Sequence, residues 1–166
     1  MFTKCIWIWL CLIDFIHSEM EPFIVGGDFA STIRFPHSAF IGISCVKRNT
    51  DEYYWICGGS IVNQDIILTA AHCLVGCGPR SHMAVTVGHE HKQKGIMSSA
   101  VSYVIHAEHT PNQTSHDIAL MKLKSRLSFS LKVRRVALMK DPPYNEKATL
   151  AGWGIIDVSR AFSIFI

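Results

Sequence analysis

The spacing of apolar residues constrains this chain more than anything else: short runs recur at 39–46, 60–62, 66–69, 83–87, 101–105, 118–123, 133–138 and 148–151, with no long helical period. Met83, Val85 and Val87 alternate with Ala84 and Thr86, and Val101, Tyr103 and Ile105 alternate with their neighbours in the same way. A period of two puts successive side chains on opposite faces of an extended strand, so each run offers one face to a core. Short strands punctuated by Gly, Pro and Asn favour an all-β barrel or sandwich. With 166 residues, 49% of them hydrophobic and 17% charged, the chain has enough apolar surface for one globular domain and lacks the balance of a disordered one.

The first residues read as an address. Lys4 gives a short positive start, residues 5–13 are almost wholly apolar, and Ser18 is a small residue at a cleavage point before Glu19. This is the pattern of a secretory signal peptide over residues 1–18. A membrane anchor needs roughly 20 consecutive apolar residues, and Asp14, His17 and Glu19 interrupt the run first. The expected location is therefore extracellular, with no membrane partner after signal cleavage. Cys5 and Cys11 leave with the signal peptide, and Cys45, Cys57, Cys73 and Cys77 remain in an oxidising compartment, where four cysteines allow three pairings.

Charge excludes some partners. The formal charge of +3 is mild, and no basic stripe interleaved with aromatics implies nucleic acid. The densest basic run, with Lys122, Lys124, Arg126, Lys132, Arg134, Arg135 and Lys140, alternates with apolar residues and reads as a solvated face. No zinc is expected, because paired C-x-x-C ligands are absent. His89 and His91 would share a face if 88–92 were extended, and His106 and His109 follow a strand, but no third ligand set accompanies them and calcium would need carboxylates that this stretch lacks. No metal and no cofactor is expected.

Four short segments carry chemistry: Ile24-Val25-Gly26-Gly27, Thr69-Ala70-Ala71-His72-Cys73, Asp117-Ile118-Ala119-Leu120 and Gly152-Trp153-Gly154. In this order, and with Cys57-Gly58-Gly59-Ser60 between the first two, they resemble the chymotrypsin/trypsin-like serine proteases. The resemblance runs from Ile24 to Gly154, about the first half to three-fifths of a full domain of that family. It implies a fold of two six-stranded Greek-key β-barrels, of which this chain holds the first and the start of the second. It also divides the chain into a short propeptide at 19–23, a partial protease domain at 24–154 and a divergent apolar tail at 155–166.

The resemblance assigns roles. A serine hydroxyl is a poor nucleophile at neutral pH, so an imidazole must take its proton during attack and return it to the leaving amine. His72 stands at the position of that base, and Asp117 at that of the carboxylate which fixes its tautomer and stabilises the imidazolium. Taken alone, a histidine beside a cysteine is more often structural, and an Asp before a strand is usually a cap or turn residue. Cys57 and Cys73 match a family disulfide beside the histidine, a closure that stabilises by roughly 3 kcal/mol. Cys45 and Cys77 are left either bridged or as free or intermolecular thiols. A glycosylation sequon begins at Asn112, in a loop just ahead of Asp117.

The sequence also departs from the family. No Gly-Asp-Ser-Gly-Gly-Pro segment occurs, and Ser159, in Val158-Ser159-Arg160, has no glycine-rich turn around it. Without a positioned nucleophile and oxyanion donors, negligible peptidase activity is expected of the chain as it stands. Phe23 precedes Ile24, so a trypsin-like activator would not cut there, and the acidic partner that the Ile24 amino group normally finds belongs with the absent segment. The leading expectation is a monomeric serine endopeptidase represented by an incomplete chain, with a polypeptide substrate or a protease inhibitor as partner of the full-length form. The alternative is a secreted non-catalytic homologue that acts by binding.

Overall fold

Alternating burial builds six strands: β1 (Ser38–Val46), β2 (Glu52–Ile61), β3 (Ile66–Thr69), β4 (His82–Val87), β5 (Ile96–Ile105) and β6 (Ala119–Leu123). The computed structural model describes residues 29–47, 51–111, 114–141 and 144–154. The expected signal peptide, propeptide, Ile24, Asn112 and the tail at 155–166 lie outside the described residues. β1 turns Ala39, Ile41, Ile43 and Cys45 inward, β4 turns Met83, Val85 and Val87, and β6 turns Ala119, Met121 and Leu123. The strands close a barrel in the order β1-β2-β3-β6-β5-β4, with β4 pairing back to β1 and every neighbour antiparallel. Ile41, Ile61, Ile67, Leu74 and Met121 fill its interior, each large buried side chain contributing about 1.5–3 kcal/mol.

Four strand expectations are corrected. β2 begins at Glu52, well ahead of the apolar run at 60–62, and takes in residues 53–57, of which Trp55 and Cys57 pack against the core while Tyr53, Tyr54 and Ile56 stay exposed. Gly59 is required there, since a Cβ would stand 2.8 Å from both Ile67 Cγ2 and the Leu68 carbonyl. On β5, Val101 is 58% exposed rather than inward. Ala100 pairs with Leu123 and Ser102 with Lys122, so Val101 is the extra residue of a β-bulge that shifts the alternation by one. Tyr103 and Ile105, beyond the bulge, pack against the core as expected.

The runs at 133–138 and 148–151 form no strand. Val133 is buried and bridges Ser130, but Arg134 and Val136 then donate to the carbonyls of Pro36 and Ile61, tying this stretch to the barrel wall by single bonds without a ladder. Leu138 and Leu150 lie on the surface.

Glu90, in the turn after β4, gathers two distant segments. Its carboxylate accepts from the Thr32 amide at 2.8 Å, the Ser31 hydroxyl at 3.0 Å and the Thr32 hydroxyl at 3.1 Å. Hydrogen bonds from its own amide and from that of Thr32 lead the effects that lower its pKa from 4.5 to about 2. Its carbonyl accepts from Trp153 Nε1 at 2.9 Å, and the Trp153 ring meets Phe40 edge-on at 5.7 Å. The segment around Gly152-Trp153-Gly154 is thereby docked on the first barrel.

Candidate active site

The segment after β3 is shaped by which of its side chains fit inside. Thr69 Oγ1 donates to the Gly58 carbonyl at 2.8 Å, and a 3-10 turn follows over Ala71–Cys73. Ala71 and Cys73 are buried, so the residue between them must point out, and His72 is 66% exposed at its side chain. Two bridges hold the connection from β3 to β4: Cys57–Cys73 ties it to β2 and Cys45–Cys77 ties it to β1. Trp55 Nε1 donates to the Cys73 carbonyl at 3.1 Å, and Tyr103 Oη to that of Cys77 at 2.9 Å.

Asp117 arrives from the other side of one seam. β3 and β6 pair from Ile66 with Lys122 to Thr69 with Ala119, so His72 lies just beyond one end of this ladder and Asp117 just before the other strand enters it. The Asp117 carboxylate grips His72 twice: Oδ1 accepts the His72 backbone N–H at 2.8 Å, and Oδ2 lies 2.7 Å from ring Nδ1. The ring hydrogen bond, then that from the His72 amide, holds the Asp117 carboxyl below its ordinary value, with partial burial opposing and the His72 and His109 imidazoles adding smaller effects.

That contact fixes the proton. An ionised carboxylate only accepts, so Nδ1 carries the hydrogen and Nε2 of the neutral ring keeps a lone pair. Nε2 lies 3.5 Å from Cys73 Sγ, but a bridged sulfur has no proton to give, so the lone pair is uncommitted. An imidazole oriented in this way by a carboxylate can take up a proton at Nε2, the chemistry that nucleophilic acyl transfer uses. Cys57, His72 and Cys73 are also the one His/Cys/Asp/Glu group among the described residues with atoms close enough to share a cation, yet both sulfurs are oxidised and offer no thiolate.

His89, His91, His106 and His109 take up other contacts. Residues 88–95 turn rather than extend, Gly88 having φ 78°, and His89 Nδ1 accepts the His91 amide. His106 stacks on His116 instead, with ring centroids 4.9 Å apart, and both ring nitrogens of His109 are buried without a hydrogen-bond partner. Composition gave no signal for these contacts, which depend on the path of the 106–118 loop. A concavity of about 730 Å³ lies elsewhere, lined by Pro36, Phe129, Ser130, Leu131, Arg134 and Arg135.

A closed antiparallel barrel thus carries an imidazole and a carboxylate joined across one seam. The sequence profile of the trypsin family matches residues 24–162, and the chain belongs to this family of serine proteases. Hypodermin-B of Hypoderma lineatum is 37% identical over 140 residues, covering 83% of this chain and 51% of that protein. Cathepsin G of Mus musculus is 32% identical over 148 residues, covering 85% and 53%. The solved structure of HL collagenase shares the fold, with a TM-score of 0.68 at 24% identity over 86% of this chain and 61% of that one. The chain spans about half the length of the curated relatives it matches.

Proposed function

We propose that this chain supplies the general base and its orienting carboxylate to a secreted serine endopeptidase, with His72 as base and Asp117 as partner. The observation that carries the reading is the double grip of Asp117 on the ring and amide of His72, at 2.7 and 2.8 Å. In this scheme a serine hydroxyl gives its proton to His72 Nε2 as it attacks the scissile carbonyl, and the imidazolium then protonates the leaving amine. Asp117 stays ionised throughout. No Gly-Asp-Ser-Gly-Gly-Pro segment is among the 166 residues, and the proposal takes the serine and its oxyanion donors from polypeptide beyond them. The substrate class is polypeptide, and a protein inhibitor of such enzymes is the other expected partner.

The test is the sequence of the mature messenger RNA past the codon for Gly154, followed by a fluorophosphonate probe on the protein it encodes. A message that continues into a Gly-Asp-Ser-Gly-Gly-Pro segment, with labelling that His72→Ala abolishes, supports the proposal. A message that stops after Ile166 overturns it and leaves a binding role for the barrel.

A further inference from the structure

The loop that delivers Asp117 is fastened by contacts that the acid–base scheme does not use. It leaves β5 at His106, whose amide donates to the Ile118 carbonyl at 3.0 Å, and it re-enters β6 at Ala119. His116 sits immediately before Asp117 with φ 56°, in the left-handed region that few side chains adopt. Its carbonyl accepts the Ile118 amide at 2.8 Å, so Asp117 occupies the apex of a three-residue turn. A residue held in such a conformation persists only where its surroundings over-determine it.

The surroundings are on the same loop. The His116 ring lies nearly parallel to that of His106, at 17°, and its Nε2 is 3.1 Å from Glu108 Oε2. Glu108 is itself fixed, because its amide donates to His106 Nδ1 at 3.2 Å, and the His109 amide donates to the His106 carbonyl at 3.0 Å. His106 therefore serves as a platform for both the stack and the acidic residue that completes it.

We infer that His116 is a positioning residue for Asp117: its imidazole, clamped between His106 and Glu108, holds the left-handed turn that aims the Asp117 carboxylate at His72. The word positioning rests on the proposed role of Asp117, but the geometry can be tested without any hydrolysis. The probes are amide hydrogen exchange at His72, whose N–H donates to Asp117 Oδ1, and the low-field proton resonance of His72 Nδ1.

His116→Asn tolerates the left-handed backbone but removes the ring stack. In the disulfide-intact chain it is expected to speed His72 amide exchange about fivefold and to broaden the Nδ1 proton, with core amides of Ile41 and Met121 unchanged. Glu108→Gln, at an exposed position where folding is not at risk, is expected to give about a twofold rise. His116→Gly separates backbone from ring, since glycine enters the turn freely. A His72 amide as slow in His116→Gly or His116→Asn as in the parent chain overturns the inference, as does an acceleration shared equally by the core amides. Absence of peptidase activity in a longer product would count against the proposed function and leave this result standing.

Discussion

Replacing Asp117 by Asn isolates what the carboxylate does. The side chain keeps its shape but has one acceptor instead of two. The His72 backbone N–H, 2.8 Å from Oδ1, can only donate, so it claims the amide oxygen, and the new NH2 group then faces Nδ1 across the 2.7 Å contact. Two donors cannot face each other, so the ring must move its proton to Nε2 and present a lone pair at Nδ1. The base is then blocked at the atom that should accept a proton. In a longer product with the nucleophile, the expected loss of turnover is about 10⁴-fold. The stability change is only about 1 kcal/mol, because both hydrogen bonds persist as neutral ones at a partly exposed site. Nitrogen-15 chemical shifts of the His72 ring report the tautomer directly in the chain itself. An Asp117→Asn chain whose His72 ring remains protonated at Nδ1, with the fold intact, would refute the reasoning.

Three further outcomes follow from the packing. The Glu90 carboxyl falls from 4.5 to about 2 on folding, so its contribution is fully present above pH 4.5 and lost as the pH falls through 2. Urea midpoints measured across this range should drop in the parent chain and drop less in Glu90→Gln, which already lacks about 1–2 kcal/mol at neutral pH. Gly59→Ala brings a Cβ within 2.8 Å of Ile67 and of the Leu68 carbonyl and should cost about 2 kcal/mol by thermal unfolding, a neutral result showing that β2 and β3 can part without penalty. Replacing Cys57 and Cys73 together opens a bridge with a sequence separation of 16 and should cost about 3 kcal/mol, whereas an unchanged melting temperature would mean that the unfolded chain is already compact there.

The sequence was most legible where one face of a strand is simply apolar. β1, β3, β4 and β6 coincide with runs seen in the sequence, because their inward residues meet the core without interruption. β2 was mostly hidden because residues 53–57 are apolar on both faces, so no alternation marks Trp55 and Cys57 as the inward ones, and Gly59 is there so that three strands can approach closely. The phase of β5 was misread because a bulge is a property of two strands in register and leaves no mark on one of them. Arg134 and Arg135 lie within an apolar run, and there the chain follows the barrel wall without joining a ladder. For the site, the segments around His72 and Asp117 stood out by their resemblance to a family. Their contact, the second bridge and the His106–His116 stack depend on how the loops close and had to be seen in three dimensions.

The seam between β3 and β6 gives the pair of His72 and Asp117 a second meaning. Both bridges lie within residues 45–77, so covalent linkage constrains the His72 side of the barrel and leaves the Asp117 side to find its place by strand pairing and loop contacts. Thr69 must meet Ala119 for the pair to form. A slip of one residue along that seam would displace Asp117 by about 3.3 Å and turn the strand's inward side chains to the opposite face. No hydrogen bond of 2.7 Å survives such a shift. The bond between imidazole and carboxylate is therefore a reporter of assembly, present only in molecules whose strands have closed in register.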